Sequence, residues 1–341
     1  MDTTLLLVVI IIAVALIFDY INGFHDAANS IATIVATRVL TPGQAVAWAA
    51  FWNFAAAFAF GTAVATTVVK QVNTDVISVY VILAGLIGAI AWDLITWWFG
   101  LPTSSSHALI GGYAGAGLAK VAMERGIFRM FEALNPDTWT PTLIFIVLAP
   151  LLGLLFAYVL MTAIYWGFRH SSPKKMDVWF RKLQLLSAAV FSYAHGTNDA
   201  QKTMGIITGV LFSAGYISEL VVPVWCIFAA HAAIGLGTLS GGWRIVRTMG
   251  ARLTRLKPRG GFVAETSAAV SILIASELGM PVSTTHVIAG SIAGVGSIQR
   301  LKAVRWGLAT TIVWAWVLTI PAAAAMGGVS LLILRIFVTE I

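Results

Sequence analysis

The sequence predicts an all-α polytopic membrane protein made of two inverted repeats with interrupted, re-entrant hairpin-like helices, about ten to twelve membrane segments in all. Three observations carry that expectation. The 341 residues are 59% hydrophobic and 10% charged, against roughly 45–50% and about 25% in an ordinary soluble domain. Mean hydropathy is +0.90, and the apolar residues fall in runs of bilayer-crossing length, about 20 residues or more. Two pairs of polar motifs recur in the same order in the two halves of the chain. A soluble or disordered chain is excluded. So is an outer-membrane barrel, whose strands alternate apolar and polar residues.

The first run, 4–34, follows an N-terminus without a basic stretch or a small-residue cleavage site. It reads as a retained span, not a signal peptide. It contains Asp19, Asn22, His25, Asp26 and Asn29, groups that are costly in hydrocarbon. The run 43–69 returns across the bilayer. The run 82–118 is too long for one helix and is interrupted at Pro102, and sequence leaves a hairpin and two full crossings equally open. The run 141–167 closes the first repeat, 1–167. A short cytoplasmic basic linker, 168–182, leads to the second repeat, 183–341. Its runs are 183–212, 221–241, 262–298 (interrupted at Pro281), 303–320 and 322–338.

The repeat is visible in the motifs. Phe18 to Ala27 matches Phe191 to Ala200, and Leu101 to His107 matches Met280 to His286; the offsets are 173 and 179 residues. Two collinear pairs indicate duplication. The net charge of +7 and pI of about 9.7 follow from loops, not from nucleic-acid binding. Residues 168–182 carry Arg169, Lys174, Lys175, Arg181 and Lys182. Residues 242–260 carry Arg244, Arg247, Arg252, Arg255, Lys257 and Arg259, and Arg300, Lys302 and Arg305 follow. The segments near 70–75 and 120–137 mix both signs. The positive-inside rule puts the basic loops in the cytoplasm, which places the chain as a multi-pass protein of the cytoplasmic membrane. The halves then cross in opposite senses, the organisation of secondary transporters with a midplane site. The thirteen tryptophans fit lipid-facing and interfacial positions.

The chemistry lies in the repeated motifs. Pro102-Thr103-Ser104-Ser105-Ser106-His107 and Pro281-Val282-Ser283-Thr284-Thr285-His286 each pair a helix breaker with a hydroxyl run and a small-residue helix. Ser and Thr favour N-caps, and a helix starting there aims free N–H groups and its positive end at the break. Two such ends suit an oxyanion such as phosphate or sulfate; helix packing is the bland alternative. Asp26 with Asn29, and Asn198 and Asp199 with Gln201, offer the oxygen ligands that hard cations require. His25 and His195 belong to the residue type that titrates nearest neutral pH. Lys202 stands where the first half has Asn29; its ammonium would replace a bound cation, contact the anion, or snorkel to the cytoplasmic face. Glu265 is a further cation or proton ligand, and Asp93, Glu277, Asn53 and His231 are weaker candidates. An anion entering a negatively polarised cell works against about 2.3 kcal/mol per charge per 100 mV, which co-transported cations offset. Cys226 is alone, so no intrachain disulfide or cysteine metal site exists. No P-loop, HExxH or GxSxG occurs, and the chain does not read as an enzyme. An intramembrane metalloenzyme using His107 and His286 is the weakest rival.

Gly23-Phe24-His25-Asp26-Ala27-Ala28-Asn29, His195 to Lys202, the two Pro-to-His segments, and Gly241 to Gly250 followed by Gly261 to Glu265 closely resemble the inorganic phosphate transporter (PiT) family over residues 15–320. The resemblance implies secondary-active uptake of inorganic phosphate with sodium or protons and no cofactor. It implies phosphate contacts from Thr103, Ser104, Ser105, Ser106, Ser283, Thr284 and Thr285. It implies cation or proton handling by Asn22, Asp26, Asn29, Asn198, Asp199, Gln201, Lys202 and Glu265, with no certain metal site. His25 in the first half and Gln201-Lys202 in the second depart from the sodium-coupled pattern. They resemble the bacterial low-affinity branch, so protons are favoured over sodium. A PhoU-like cytosolic accessory protein and a homo-oligomer are further expectations. The alternatives are a sulfate permease of the same fold and an uncoupled anion channel.

Overall fold

The computed structural model describes residues 3–252, 256–299 and 306–338. Arg255, Arg300, Lys302 and Arg305, assigned above to the cytoplasmic side, lie outside the described residues. Along the chain the helices are α1 Thr3–His25, α2 Ala27–Ala36, α3 Pro42–Ala55, α4 Ala63–Val69, α5 Val79–Phe99, α6 Ser105–Arg125 and α7 Pro136–Gly167. They continue as α8 Pro173–Ser213, α9 Val224–Ser240, α10 Trp243–Arg252, α11 Pro258–Glu277, α12 Thr284–Gln299 and α13 Trp306–Phe337. Among the described residues there is no strand, only an isolated bridge between Val72 and Leu134. The segments Thr4–Ala36, Val79–Phe99, Pro136–Gly167 and Thr310–Phe337 are each long and apolar enough to cross a membrane. This is a multi-pass membrane protein.

The apolar runs differ from the helices in four places, each for a local reason. The first run breaks at Asp26, between α1 and α2. The run 43–69 divides into Pro42–Ala59 and Ala63–Val69, bent by 89°. Phe60 sits there in the left-handed region (φ 53°), which no helix continues through. The basic stretch from Lys174 to Lys182 is not a loop but the first turns of α8, a 41-residue helix started by Pro173 with Ser172 as its cap. The runs 303–320 and 322–338 form one helix, α13, with Pro321 inside it. A proline removes one backbone donor, but leaving the helix inside a bilayer would strand many more.

The two interrupted runs turn in the same way. Helix α5 ends on Gly100 (φ 66°), where Leu101 N–H donates to the Thr96 carbonyl at 2.9 Å. Helix α11 ends before Gly279 (φ 71°), where Met280 N–H donates to the Ala275 carbonyl at 2.8 Å. Both are Schellman-type stops, and glycine occupies the left-handed position at no steric cost. After each stop comes a short extended tip containing the proline, and then α6 or α12 begins.

Packing crosses between the halves of the chain. Helix α13 lies against α5 and α6, and α7 lies against α11 and α12. Glycine permits these approaches: a Cβ on Gly88 would come within 2.4 Å of the Gly327 nitrogen, and one on Gly290 within 2.4 Å of the Pro150 carbonyl. One apolar core joins α2, α7, α8, α11 and α12; another joins α1, α4, α5, α6 and α13. Between them, α1–α2 and α8 carry Asp19, Asn22, His25, Asp26, Asn29, His195, Asn198, Asp199 and Lys202, all buried.

Candidate functional site

The tips of the two interrupted runs meet against Asp26 and Asp199. Ser104 and Ser283 cap the helices they precede: their Oγ atoms accept from the His107 and His286 N–H groups, both at 3.2 Å. The following hydroxyls reach the acidic motifs. Ser105 Oγ donates to Asp26 Oδ1 (3.4 Å) and Thr285 Oγ1 to Asp26 Oδ2 (3.5 Å). Thr284 Oγ1 donates to Asp199 Oδ2 at 3.4 Å. Asn29 Nδ2 donates to Thr285 Oγ1 (2.8 Å) and Thr284 Oγ1 (3.3 Å). The first-turn N–H groups of α6 and α12 have no intrahelical acceptor, and both positive helix ends lie at this cluster.

Lys202, one turn after Asp199 on α8, donates to Asp199 Oδ1, to Ser106 Oγ and to the Val282 carbonyl (2.9 Å). It therefore touches both tips at once. His195 Nε2 lies 3.2 Å from Asp199 Oδ2, and its Nδ1 meets Asn53 Oδ1 at 3.1 Å. Asp26, His195 and Asp199 each bring one ligand atom within 4.8 Å of the others, a spacing that can hold a cation or share a proton. His25 Nδ1 meets Asp26 Oδ1 at 2.8 Å, and its Nε2 meets Thr96 Oγ1 at 3.1 Å and Thr103 Oγ1 at 3.5 Å. The tip hydroxyls, Asp26, Asn29, Asp199 and Lys202 are each no more than 3% exposed. The cluster is closed to solvent on both sides.

Other candidates are placed differently. Asn198 serves the second tip: its Nδ2 donates to Ser276 Oγ and the Met280 carbonyl, and its Oδ1 accepts from Val282 N–H. Gln201 turns away, accepting from Val64 N–H at 2.9 Å and donating to the Thr197 carbonyl at 2.7 Å. Asn22 lies beside Asp19 and Thr203, away from the tip hydroxyls, and Asp19 is fully buried. Glu265 sits in a separate shell. It accepts from Thr33 Oγ1 (2.6 Å), Gln184 Nε2 (3.0 Å) and Ser187 Oγ. Thr33 lies one turn of α2 beyond Asn29, so that helix touches both clusters. His231 bonds the Ile227 carbonyl of its own helix.

Gln184, Ser187 and Thr33 were not picked out by motif reading. A signal for two of them exists: Gln184, Ser187, Ser192, His195, Asn198, Asp199 and Lys202 recur at helical spacing through an apolar run. A cavity of about 500 Å³ lies apart from the polar cluster. It opens between α7, α12 and α13 and has apolar walls such as Leu143, Leu151 and Val317. It touches His107 and His286 but none of the tip hydroxyls.

Comparison with known proteins adds three findings. Residues 22–327 match the phosphate transporter family. A protein of Rhizobium meliloti named a probable low-affinity inorganic phosphate transporter is 52% identical, covering 96% of this chain and 97% of that one. A Bacillus subtilis protein of the same name is 42% identical, covering 98% and 99%. A solved structure titled the sodium-dependent phosphate transporter superposes with a TM-score of 0.89 at 27% identity, over 97% of this chain and 100% of that one.

Proposed function

The chain belongs to the phosphate transporter family, and from that membership and the geometry of its site we propose a secondary symporter that imports inorganic phosphate with a cation by alternating access. One observation carries the reading. Two helix N-termini with their hydroxyls converge on two carboxylates and a lysine in a cluster closed to solvent. Ser105, Ser106, Thr284, Thr285 and the first-turn amides of α6 and α12 replace water around the phosphate oxygens. Asp26 and Asp199 accept from the phosphate hydroxyl, a bond that sulfate, fully ionised near neutral pH, cannot donate.

The coupling charge goes to the Asp26–His195–Asp199 group. Phosphate brings a charge of −1 to −2 to a site that already holds two carboxylates and one ammonium, and a dry site does not tolerate that excess. A proton is the favoured cation, with His195 between the carboxylates as its carrier; sodium at the same oxygens is the alternative. The two repeats, 1–167 and 183–341, run inverted in the cytoplasmic membrane. The paired stops at Gly100 and Gly279 and the paired caps at Ser104 and Ser283 support that duplication. Opening to one side and then the other requires the tips to part.

The test is radiolabelled phosphate uptake into proteoliposomes under an imposed proton or sodium gradient, each with and without excess sulfate. Proton-driven accumulation that sulfate does not reduce is expected. Sodium-driven accumulation replaces the coupling ion. Equilibration without accumulation makes the protein a channel, and strong sulfate competition makes it a sulfate carrier.

A further inference from the structure

We propose that Lys202 is a cation built into the symport site: its ammonium permanently fills one cation position, so the protein moves one coupling ion fewer per phosphate than it would with a neutral residue there. The proposal rests on the symport reading and adds a stoichiometry to it.

The sequence supplies the first argument. The match that pairs Asp26 with Asp199 pairs Asn29 with Lys202 at the same offset of 173. A neutral amide in one half faces a cation in the other. The structure supplies the second. The Lys202 nitrogen is held by a carboxylate oxygen of Asp199, the hydroxyl of Ser106 and the backbone carbonyl of Val282. Carboxylate, hydroxyl and carbonyl oxygens are the ligand set of a hard cation. Here they come from α8, the first tip and the second tip. The side chain is 1% exposed, so it does not snorkel to the membrane surface. Asp19 and His107 also lie within its electrostatic reach, and neither makes a hydrogen bond to it.

The two carboxylates of the site are therefore unlike. Asp199 has a permanent counter-charge. Asp26 has His25 beside it and the shared position with His195 and Asp199, where an exchangeable charge fits. A tethered ammonium attracts phosphate as a free ion would, but it cannot cross with it. It strengthens anion binding without adding to the gradient that drives accumulation. Each coupled ion multiplies the equilibrium accumulation ratio by its own gradient. With the membrane potential clamped and a tenfold cation gradient, one more coupled ion raises that ceiling about tenfold, or 1.4 kcal/mol.

The experiment measures the cation-to-phosphate ratio in proteoliposomes from the gradient at which net flux reverses, in proton and sodium arms, for wild type, Lys202→Asn and Lys202→Arg. The ratio is expected to rise by one in Lys202→Asn and to stay at the wild-type value in Lys202→Arg. An unchanged ratio in a transporting Lys202→Asn, or a changed one in Lys202→Arg, overturns the proposal and leaves symport standing. No accumulation by wild type is instead the failure of the symport reading. For variants that do not transport, phosphate binding is read in detergent as the rise in thermal midpoint. Lys202→Ala is expected to bind phosphate only with added sodium, ammonium or methylammonium, whereas wild type needs no cation at that position. Binding by Lys202→Ala without any added cation, or failure of every one of these cations to restore fold or binding, overturns the proposal.

Discussion

Asp26 and Asp199 look equivalent in the sequence, but their removal has different consequences. Asp199 is the counter-charge of a buried lysine, and removing one partner of such a pair costs about 3–5 kcal/mol. Asp26 has no lysine or arginine paired to it among the described residues; it meets His25 at 2.8 Å and accepts from Ser105 and Thr285. Asp26→Asn is therefore expected to lose gradient-driven uptake and keep nearly the wild-type thermal midpoint, while Asp199→Asn loses both. Uptake assays and thermal melting in detergent distinguish the two, and full uptake by Asp26→Asn would remove that carboxylate from the coupling site. On the proposed function, Ser105→Ala and Thr284→Ala each delete one hydrogen bond to phosphate, about 1.5–3 kcal/mol. Each should raise the apparent KM for phosphate about tenfold or more. An unchanged KM in both would reduce the tips to helix caps. The paired motifs were legible because each residue has a counterpart in the other half. The duties of Asn198 and Gln201 were not. An amide buried in a membrane protein serves a cation or a stranded backbone group equally well, and only the fold shows that these two hold Met280, Val282, Val64 and Thr197.

The helices are ordinary in composition, and what they build depends on how closely they approach. At Gly88 an added methyl meets backbone of Gly327, at 2.4 Å from its nitrogen and 2.7 Å from its Cα. Backbone cannot rotate aside as a side chain can, so α5 and α13 must separate. Overpacking of this kind costs about 1–3 kcal/mol. Gly43 in the first turn of α3 has nothing within 4 Å, and alanine there gains helix propensity. Gly88→Ala should lower the thermal midpoint and Gly43→Ala should hold or raise it; equal midpoints would show that α5 and α13 adjust freely. Hydropathy found the apolar runs and prolines marked the two hairpins, because both signals are local. It misread the start of α8 and divided α13 at Pro321. Charge and proline content are properties of composition, whereas helix continuity is decided by whether the freed backbone groups have anywhere else to go.

At the scale of the whole molecule the orientation rests on α7. This helix has 32 residues, about 48 Å at 1.5 Å per residue, and it exceeds the hydrocarbon thickness of about 30 Å. The segment before it, 126–135, and the segment after it, 168–175, must then face opposite sides. The first mixes charges, with Arg129 paired to Glu132 at 2.6 Å and, just before it, Arg125 at the end of α6 paired to Asp75 at 2.7 Å. The second opens a stretch, 168–182, in which five lysines and arginines face a single acid, Asp177, and the positive-inside rule assigns such a stretch to the cytoplasm. Cys226 is fully buried and alone in the chain, so Cys226→Ala gives a background without thiols. In that background Phe128→Cys, at a position 99% exposed, should react with a membrane-impermeant maleimide in right-side-out vesicles. Lys174→Cys, at an exposed position, should react only after permeabilisation. The opposite pattern would invert the protein and place the basic loops outside. Labelling of both from one side would mean that α7 does not cross, and with it would go the argument that the two hairpins enter from opposite faces to meet at Asp26 and Asp199.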